Sequence, residues 1–352
     1  MLPREHVERI LYFAAQAPSG DNAQPWRFEV HGDIVEVFNI PGEDYSPYNF
    51  RERGSLFANG AAIENAIIAA TTFGYNAEVD FCPVPSNKNL IARLTFHYGK
   101  QDADPLASYI ESRSTNRKHY KAIALSKEHK KQLVEVFGRE NFGELRLIED
   151  SLSIQKCADL LSLSDQLIFE EKSIHDAIFG SIRWSRMEEQ KHSGMYVKTL
   201  ELPPPAEILF KSLKHWSWLV ALNKVGISKF IASQSASGYS ASGAIGLFMM
   251  PNDLDKDYIR AGCVFEKLWL VATELGLSIQ PVTALFYLAG RIAAGDPGDL
   301  TDRHIQQIRQ TCQEILKLFE NPQGTVAIIF RMGYADQPSA RSFKKQPQIN
   351  FS

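Results

Sequence analysis

Residues Ala17-Pro18-Ser19-Gly20-Asp21-Asn22-Ala23-Gln24-Pro25-Trp26 decide how the rest of the chain is read. Two prolines and a glycine hold this backbone out of both helix and strand. Ser19, Asn22 and Gln24 then offer hydroxyl and amide groups at near-alternating positions. Two readings follow: an ordinary connecting turn anchored by a buried Trp26, or a stiff polar loop shaped for a flat heterocycle.

Around this stretch the pattern is regular. Residues 3–16 space Val7, Ile10, Leu11 and Ala14 as one helical face. Phe28–Val30 and Ile34–Val37 alternate as strands about His31-Gly32-Asp33. Residues 41–55 form a polar loop ending in Arg51-Glu52-Arg53-Gly54. Residues 56–74 read as an apolar, buried helix closed by Gly74. Strands are expected over 77–82 and 90–98, and a linker over Gln101–Pro105.

After that linker the pattern begins again. Ser126-Lys127-Glu128-His129 opens a helix as Pro3-Arg4-Glu5-His6 does. Gly60…Glu64 and Gly262…Glu266 match at a constant offset of 202 positions, which also carries Gly74 onto Gly276. The spacing predicts two copies of one helix-plus-sheet unit, a first half over 1–104 and a second over 105–352. The second carries a helical insertion at about 150–240, with Trp184, Trp216, Trp218 and the breaker Pro203-Pro204-Pro205.

The copies differ in chemistry. At the place matching the opening loop, the second has Gly138-Arg139-Glu140-Asn141-Phe142-Gly143, without its Pro/Gln/Trp framework. It is preceded instead by Ser112-Arg113-Ser114-Thr115-Asn116-Arg117-Lys118-His119-Tyr120. Guanidinium forks among short hydroxyl donors suit a terminal phosphate; a solvated basic run ahead of a helix has the same composition. One composite site per chain is expected, with Asn22 and Gln24 facing Arg113 and Arg117.

Of the 352 residues, 44% are hydrophobic, enough for a large core. Lys and Arg number 38 against 41 Asp and Glu, for a net charge of −3, which gives no electrostatic case for nucleic acid. Cys82, Cys157, Cys263 and Cys312 lie too far apart for a zinc motif, and free thiols fit a reducing compartment. Met1–His6 lacks the apolar run of a signal peptide, and no stretch reaches the length of a membrane span. A cytoplasmic protein without a membrane partner is expected. Gly238-Tyr239-Ser240-Ala241-Ser242 lacks the closing glycine of a nucleophile elbow and reads as the turn into a core strand, Ala244–Met250. His175 and His192 have no carboxylate at ligand spacing, so no metal site is expected.

The opening stretch followed by a strand resembles the flavin loop of the nitroreductase family. Arg113 to Arg117 with Tyr120 resembles that family's basic FMN-phosphate motif. Arg331-Met332-Gly333-Tyr334 with Arg341 is similar to its closing segment. Two copies in one chain narrow the resemblance to Acg-like, single-chain pseudo-dimer members. Arg51-Glu52, Gly60 to Asn65 and Arg113 to Arg117 match the motifs that recur there.

The resemblance implies an α+β fold, with a mostly antiparallel sheet flanked by helices in each half and one FMN per chain. Arg113, Thr115, Arg117 and Arg341 would bind the phosphate, with Ser114 and Arg331 beside them. Pro18, Ser19, Asn22 and Gln24 would reach the ring and ribityl chain from the other half. Gln280, Pro281, Val282 and Thr283 fall at the flavin N5 edge, where Thr283 replaces the usual Glu and Ala284 the usual Gly. The implied activity is transfer from NAD(P)H through FMN to a nitroaromatic, quinone or similar conjugated small molecule. The flavin would carry the chemistry, so no catalytic side chain is nominated. The other reading is a non-catalytic flavin-binding protein, with the insertion as a lid. A monomer or weak homodimer is expected, because an internal pair replaces the family's dimer.

Overall fold

The apolar face of Val7, Ile10, Leu11 and Ala14 makes α1 (Arg4–Ala14) a helix buried along one side. Alternation then gives a hairpin, β1 (Trp26–His31) and β2 (Ile34–Asn39), whose turn needs Gly32 at φ 64. Next comes α2 (Arg53–Thr71), apolar around its whole circumference and buried accordingly. β3 (Tyr75–Phe81) and β4 (Leu90–Tyr98) follow as an antiparallel pair. This computed structural model describes residues 2–99 and 102–352. Gln101, at the start of the expected linker, lies outside the described residues.

α3 (Lys127–Glu140) starts on the Ser126 side chain, which accepts from the His129 amide, and stops at Asn141 in the left-handed region. After β5 (Glu144–Ile148) comes the insertion: α4 (Ser151–Leu161), α5 (Leu163–Glu170), α6 (Lys172–Ser181), β6 (Ile182–Arg183), α7 (Arg186–Lys191), β7 (Met195–Tyr196), α8 (Pro204–Ser212), α9 (Trp216–Asn223) and α10 (Ile227–Ser240). It is helical as expected, apart from a short parallel pairing of β6 with β7. The chain then runs through β8 (Ala244–Met250), α11 (Asp255–Glu274), β9 (Ser278–Pro281), α12 (Ala284–Ala293), α13 (Asp302–Leu318), β10 (Thr325–Gly333) and β11 (Ile349–Phe351). Gly238–Ser242 does lead into a core strand: Ser242 Oγ donates to Tyr239 O, and β8 is buried at every position.

The protein is an α+β fold with two mostly antiparallel sheets flanked by helices. One sheet runs β11-β1-β2-β4-β3 and the other β5-β8-β10-β9. The one parallel step in the first is β11 on β1, so the C-terminal strand returns to the sheet built by the start of the chain. The sheets are joined through α2 and α11, which cross where Gly60 meets Gly262. A Cβ on Gly60 would lie 1.9 Å from Ile259 O, and one on Gly262 2.0 Å from Phe57 O. The contact is reciprocal, since Phe57 and Ile259 stand at the same 202-residue offset as the glycines. One apolar cluster runs through the crossing, from Ile10, Phe28 and Ile63 to Phe248, Phe265 and Phe330.

Candidate functional site

The opening loop is strained and tied down. Asp21, Asn22 and Gln24 take φ values of 47°, 58° and 60°, left-handed backbone that costs a non-glycine residue on the order of 1 kcal/mol. Ser19 Oγ accepts from the Gln24 amide at 3.0 Å. Asn22 Nδ2 donates to Phe343 O at 2.9 Å and to Gly194 O at 3.0 Å. Gln24 Nε2 donates to Asn22 O at 3.3 Å, and its Oε1 accepts from the Lys345 amide at 2.9 Å. The C-terminal segment and the insertion thus both close on the loop. Pro18 is half-buried and Trp26 buried.

Cations gather against it. Arg113 is buried, donates from Nη2 to Gln16 O at 2.7 Å, pairs with Glu266 at 3.0 Å and lies 4.8 Å over the Trp269 ring. Lys344 Nζ donates to Ala17 O at 2.7 Å and to Asn22 Oδ1 at 2.9 Å. Arg341 Nη1 donates to Glu111 O at 2.6 Å, and its charge works against that of Arg113. Burial, and then the Arg113 charge, bring the Lys344 ammonium down to about 7. Burial likewise pushes the Glu266 carboxyl up, against the pull of Arg113. Glu266 is the carboxylate that offsets Arg113 and Lys344, while the Arg341 guanidinium meets only a backbone carbonyl among the described residues. Such an excess of positive charge suits an anion such as a phosphate, so the donor set fits the phosphate end of FMN.

The other candidates divide. Arg117 points its guanidinium at the insertion, with Nη1 donating to Thr199 O and Nη2 reaching Met195 Sδ, each at 3.3 Å. Arg113 and Arg117 therefore serve different partners rather than one common point. Asp21 faces Arg117; burial and then the Asp44 charge raise its carboxyl to about 6. Arg331 is fully buried and engages protein groups: Gly238 O, Lys118 O at 2.8 Å and Gln280 Oε1 at 2.8 Å, with its guanidinium 3.9 Å over Tyr120. Thr283 Oγ donates to Ile329 O at 3.0 Å and accepts from the Ile329 amide at 3.2 Å; the Val282 amide also donates to Ile329 O. Pro281 pairs with Phe330 across β9 and β10. Thr115 bridges to Ile279, which lays the basic segment beside β9, and Ser114 stays half-buried next to it.

Sequence reasoning missed Lys344 and Asp21. The Lys344-Lys345 pair, three positions beyond Arg341, was the available signal for the first. Asp21 sat inside the quoted loop, but nothing local marks a carboxylate destined for burial.

The arrangement is thus an α+β scaffold carrying a cation-rich site against a strained amide loop. No protein-family model matches the chain. It is 25% identical over 347 residues, 97% of its length and 48% of the relative, to an uncharacterized protein of Mycobacterium tuberculosis. It is 30% identical over 122 residues, 33% of its length and 34% of the relative, to a protein of the same organism named "Putative NAD(P)H nitroreductase". The chain thus spans about half the length of the first of these curated relatives and about a third of the second. Among solved structures, a nitroreductase with bound FMN from Bacteroides fragilis aligns over 69% of this chain and 95% of its own, at 11% identity and TM-score 0.34. The crystal structure of "a putative nitroreductase" from Anabaena variabilis aligns over 94% of this chain and 88% of its own, at 10% identity and TM-score 0.47.

Proposed function

We propose that this chain is a nitroreductase-like, FMN-dependent oxidoreductase that takes reducing equivalents from NAD(P)H and passes them to a nitroaromatic, quinone or similar conjugated acceptor. The observation that carries the reading is the meeting of Arg113 and Lys344 with the opening loop, at Gln16 O, Ala17 O and Asn22 Oδ1. A cation cluster whose charge suits a phosphate and a strained amide loop, far apart in sequence, abut in space. The reciprocal Gly60–Gly262 contact supports treating the two halves as copies sharing one site. FMN supplies hydride and electron transfer when bound. The chain's own groups bind and orient: Arg113, Lys344 and Arg341 hold the phosphate, with Ser114 and Thr115 as neighbouring hydroxyl donors. Ser19, Asn22 and Gln24 orient the ring, and no side chain is assigned a proton. The test is the visible spectrum of the purified protein, before and after anaerobic NADPH. Flavin absorbance that bleaches supports an oxidoreductase; a colourless protein that binds no added FMN overturns it.

One observation favours the second reading, a flavin-sequestering protein. Asn22 Nδ2 is bonded to Gly194 O of the insertion, and Thr283, standing where the resemblance expects Glu, spends its hydroxyl on Ile329. Bound flavin that neither NADH nor NADPH reduces favours this reading; bleaching by either excludes it.

A further inference from the structure

The outer side of the insertion has a composition unlike the rest of the molecule. Between Glu207 and Asp253 the chain contains no Asp or Glu, although the protein as a whole is net negative. Lys211, Lys214, Lys224 and Lys229 fall in that span, all four exposed, and their side chains form no ion pair among the described residues.

The packing explains which faces are left over. α8, α9 and α10 turn Phe210, Leu213, Trp216, Leu219, Ile227 and Ile231 inward onto one apolar cluster. Their opposite faces look out, and they are not polar. Ile208 is 74% exposed, Trp218 66%, Phe230 57% and Val225 82%, with Leu209 and Val220 also open. On α9, Trp218 and Ala221 lie three residues apart and so share a face, and both are exposed. Val225 then forms the turn into α10, with Lys224 before it and Lys229 and Phe230 just after. The tip of the α9–α10 hairpin is therefore an apolar wedge bordered by lysines. Trp, Phe and branched aliphatics amid acid-free lysines suit a lipid headgroup boundary. The rings and aliphatic chains enter the acyl edge while the ammonium groups stay among phosphates. Such a contact needs apolar area and positive charge, not a complementary groove, and no helix of the described residues is long and apolar enough to cross a membrane.

We propose that the outward faces of α8, α9 and α10 dock this protein peripherally on an anionic lipid bilayer. The proposal stands independently of the flavin reading. Lys224 and Lys229 supply electrostatic attraction, and Trp218, Val225 and Phe230 insert. A second protein chain carrying an acidic groove is the competing occupant.

The experiment is co-sedimentation of the full chain with phosphatidylcholine vesicles, with and without phosphatidylglycerol. Binding is expected to the anionic vesicles, to weaken with salt, and to fall about 25-fold in K224Q/K229Q, at about five-fold per lysine removed. A blue shift of tryptophan emission on vesicle binding is expected in the parent chain and absent in Trp218→Phe. These positions are exposed, and unchanged thermal unfolding confirms that the variants fold. Absence of binding to anionic vesicles overturns the proposal. So does binding that K224Q/K229Q leaves unchanged, or self-association that these substitutions abolish in the absence of vesicle binding.

Discussion

Lys344 is the side chain whose behaviour most directly tests the site. Burial and Arg113 hold its ammonium at about 7, well below the 10.5 of an ordinary lysine, while Glu266 acts the other way. A base depressed in the folded state binds fewer protons there than when unfolded, so stability rises with pH between about 7 and 10. Thermal unfolding should show that rise, and Lys344→Met should flatten it. A bound phosphate reverses the preference by stabilising the ammonium. FMN affinity should therefore fall as pH climbs from 7 to 9, by up to about tenfold per unit, a range in which the phosphate stays doubly ionised. Lys344→Met should bind FMN weakly at pH 7 with no such slope, which titration at several pH values measures. Arg113 was legible from its hydroxyl-rich neighbourhood. Lys344 was not, because its burial depends on the C-terminal segment folding back over Ala17 and Asn22, a contact across more than 300 positions. The left-handed turns at Asp21, Asn22 and Gln24 were equally invisible, since none is a glycine.

At the scale of elements, the repeat shared by α2 and α11 was legible in the sequence, and their crossing was not. The Gly…Glu pattern repeated at constant offset, and the structure places Gly60 and Gly262 against each other, each backing onto a carbonyl of the opposite helix. Gly60→Ala or Gly262→Ala would put a methyl within about 2 Å of that carbonyl. Neither helix can retreat without opening the core. Each substitution should cost at least the upper part of the roughly 1–3 kcal/mol expected for overpacking, read as a lower urea midpoint with unchanged slope. The double substitution should be worse than either alone, since both methyls crowd one crossing. Short elements escaped the sequence reading for a physical reason. β6 and β7 are two residues each and β11 three, too short for a hydrophobic period. Tertiary contact creates them: β11 forms because β1 offers a free edge.

For the whole molecule, one apolar cluster runs across the expected boundary near residue 104, while a second, from Ile148 and Leu161 to Ile315 and Ile329, takes its buried residues from the later part alone. The cluster that holds Ile10, Phe28 and Ile63 also holds Phe248, Phe265 and Phe330. An independently folding domain needs a core of its own. A fragment of residues 1–104 would keep β1 to β4, α1 and α2, yet would turn the α11-facing side of α2 to water. It would also strip β11 from β1 and leave an unpaired strand edge. The fragment is therefore expected to fail to unfold cooperatively in urea and to associate through that exposed surface. The full chain should lose both sheets in one coincident transition by far- and near-ultraviolet circular dichroism. A monomeric 1–104 fragment with a sharp urea transition of its own would show that the halves stand alone. Arg113 meets Gln16 O, and Lys344 meets Ala17 O and Asn22, across that boundary, so the fragment alone is expected to bind no FMN, which flavin titration of it measures.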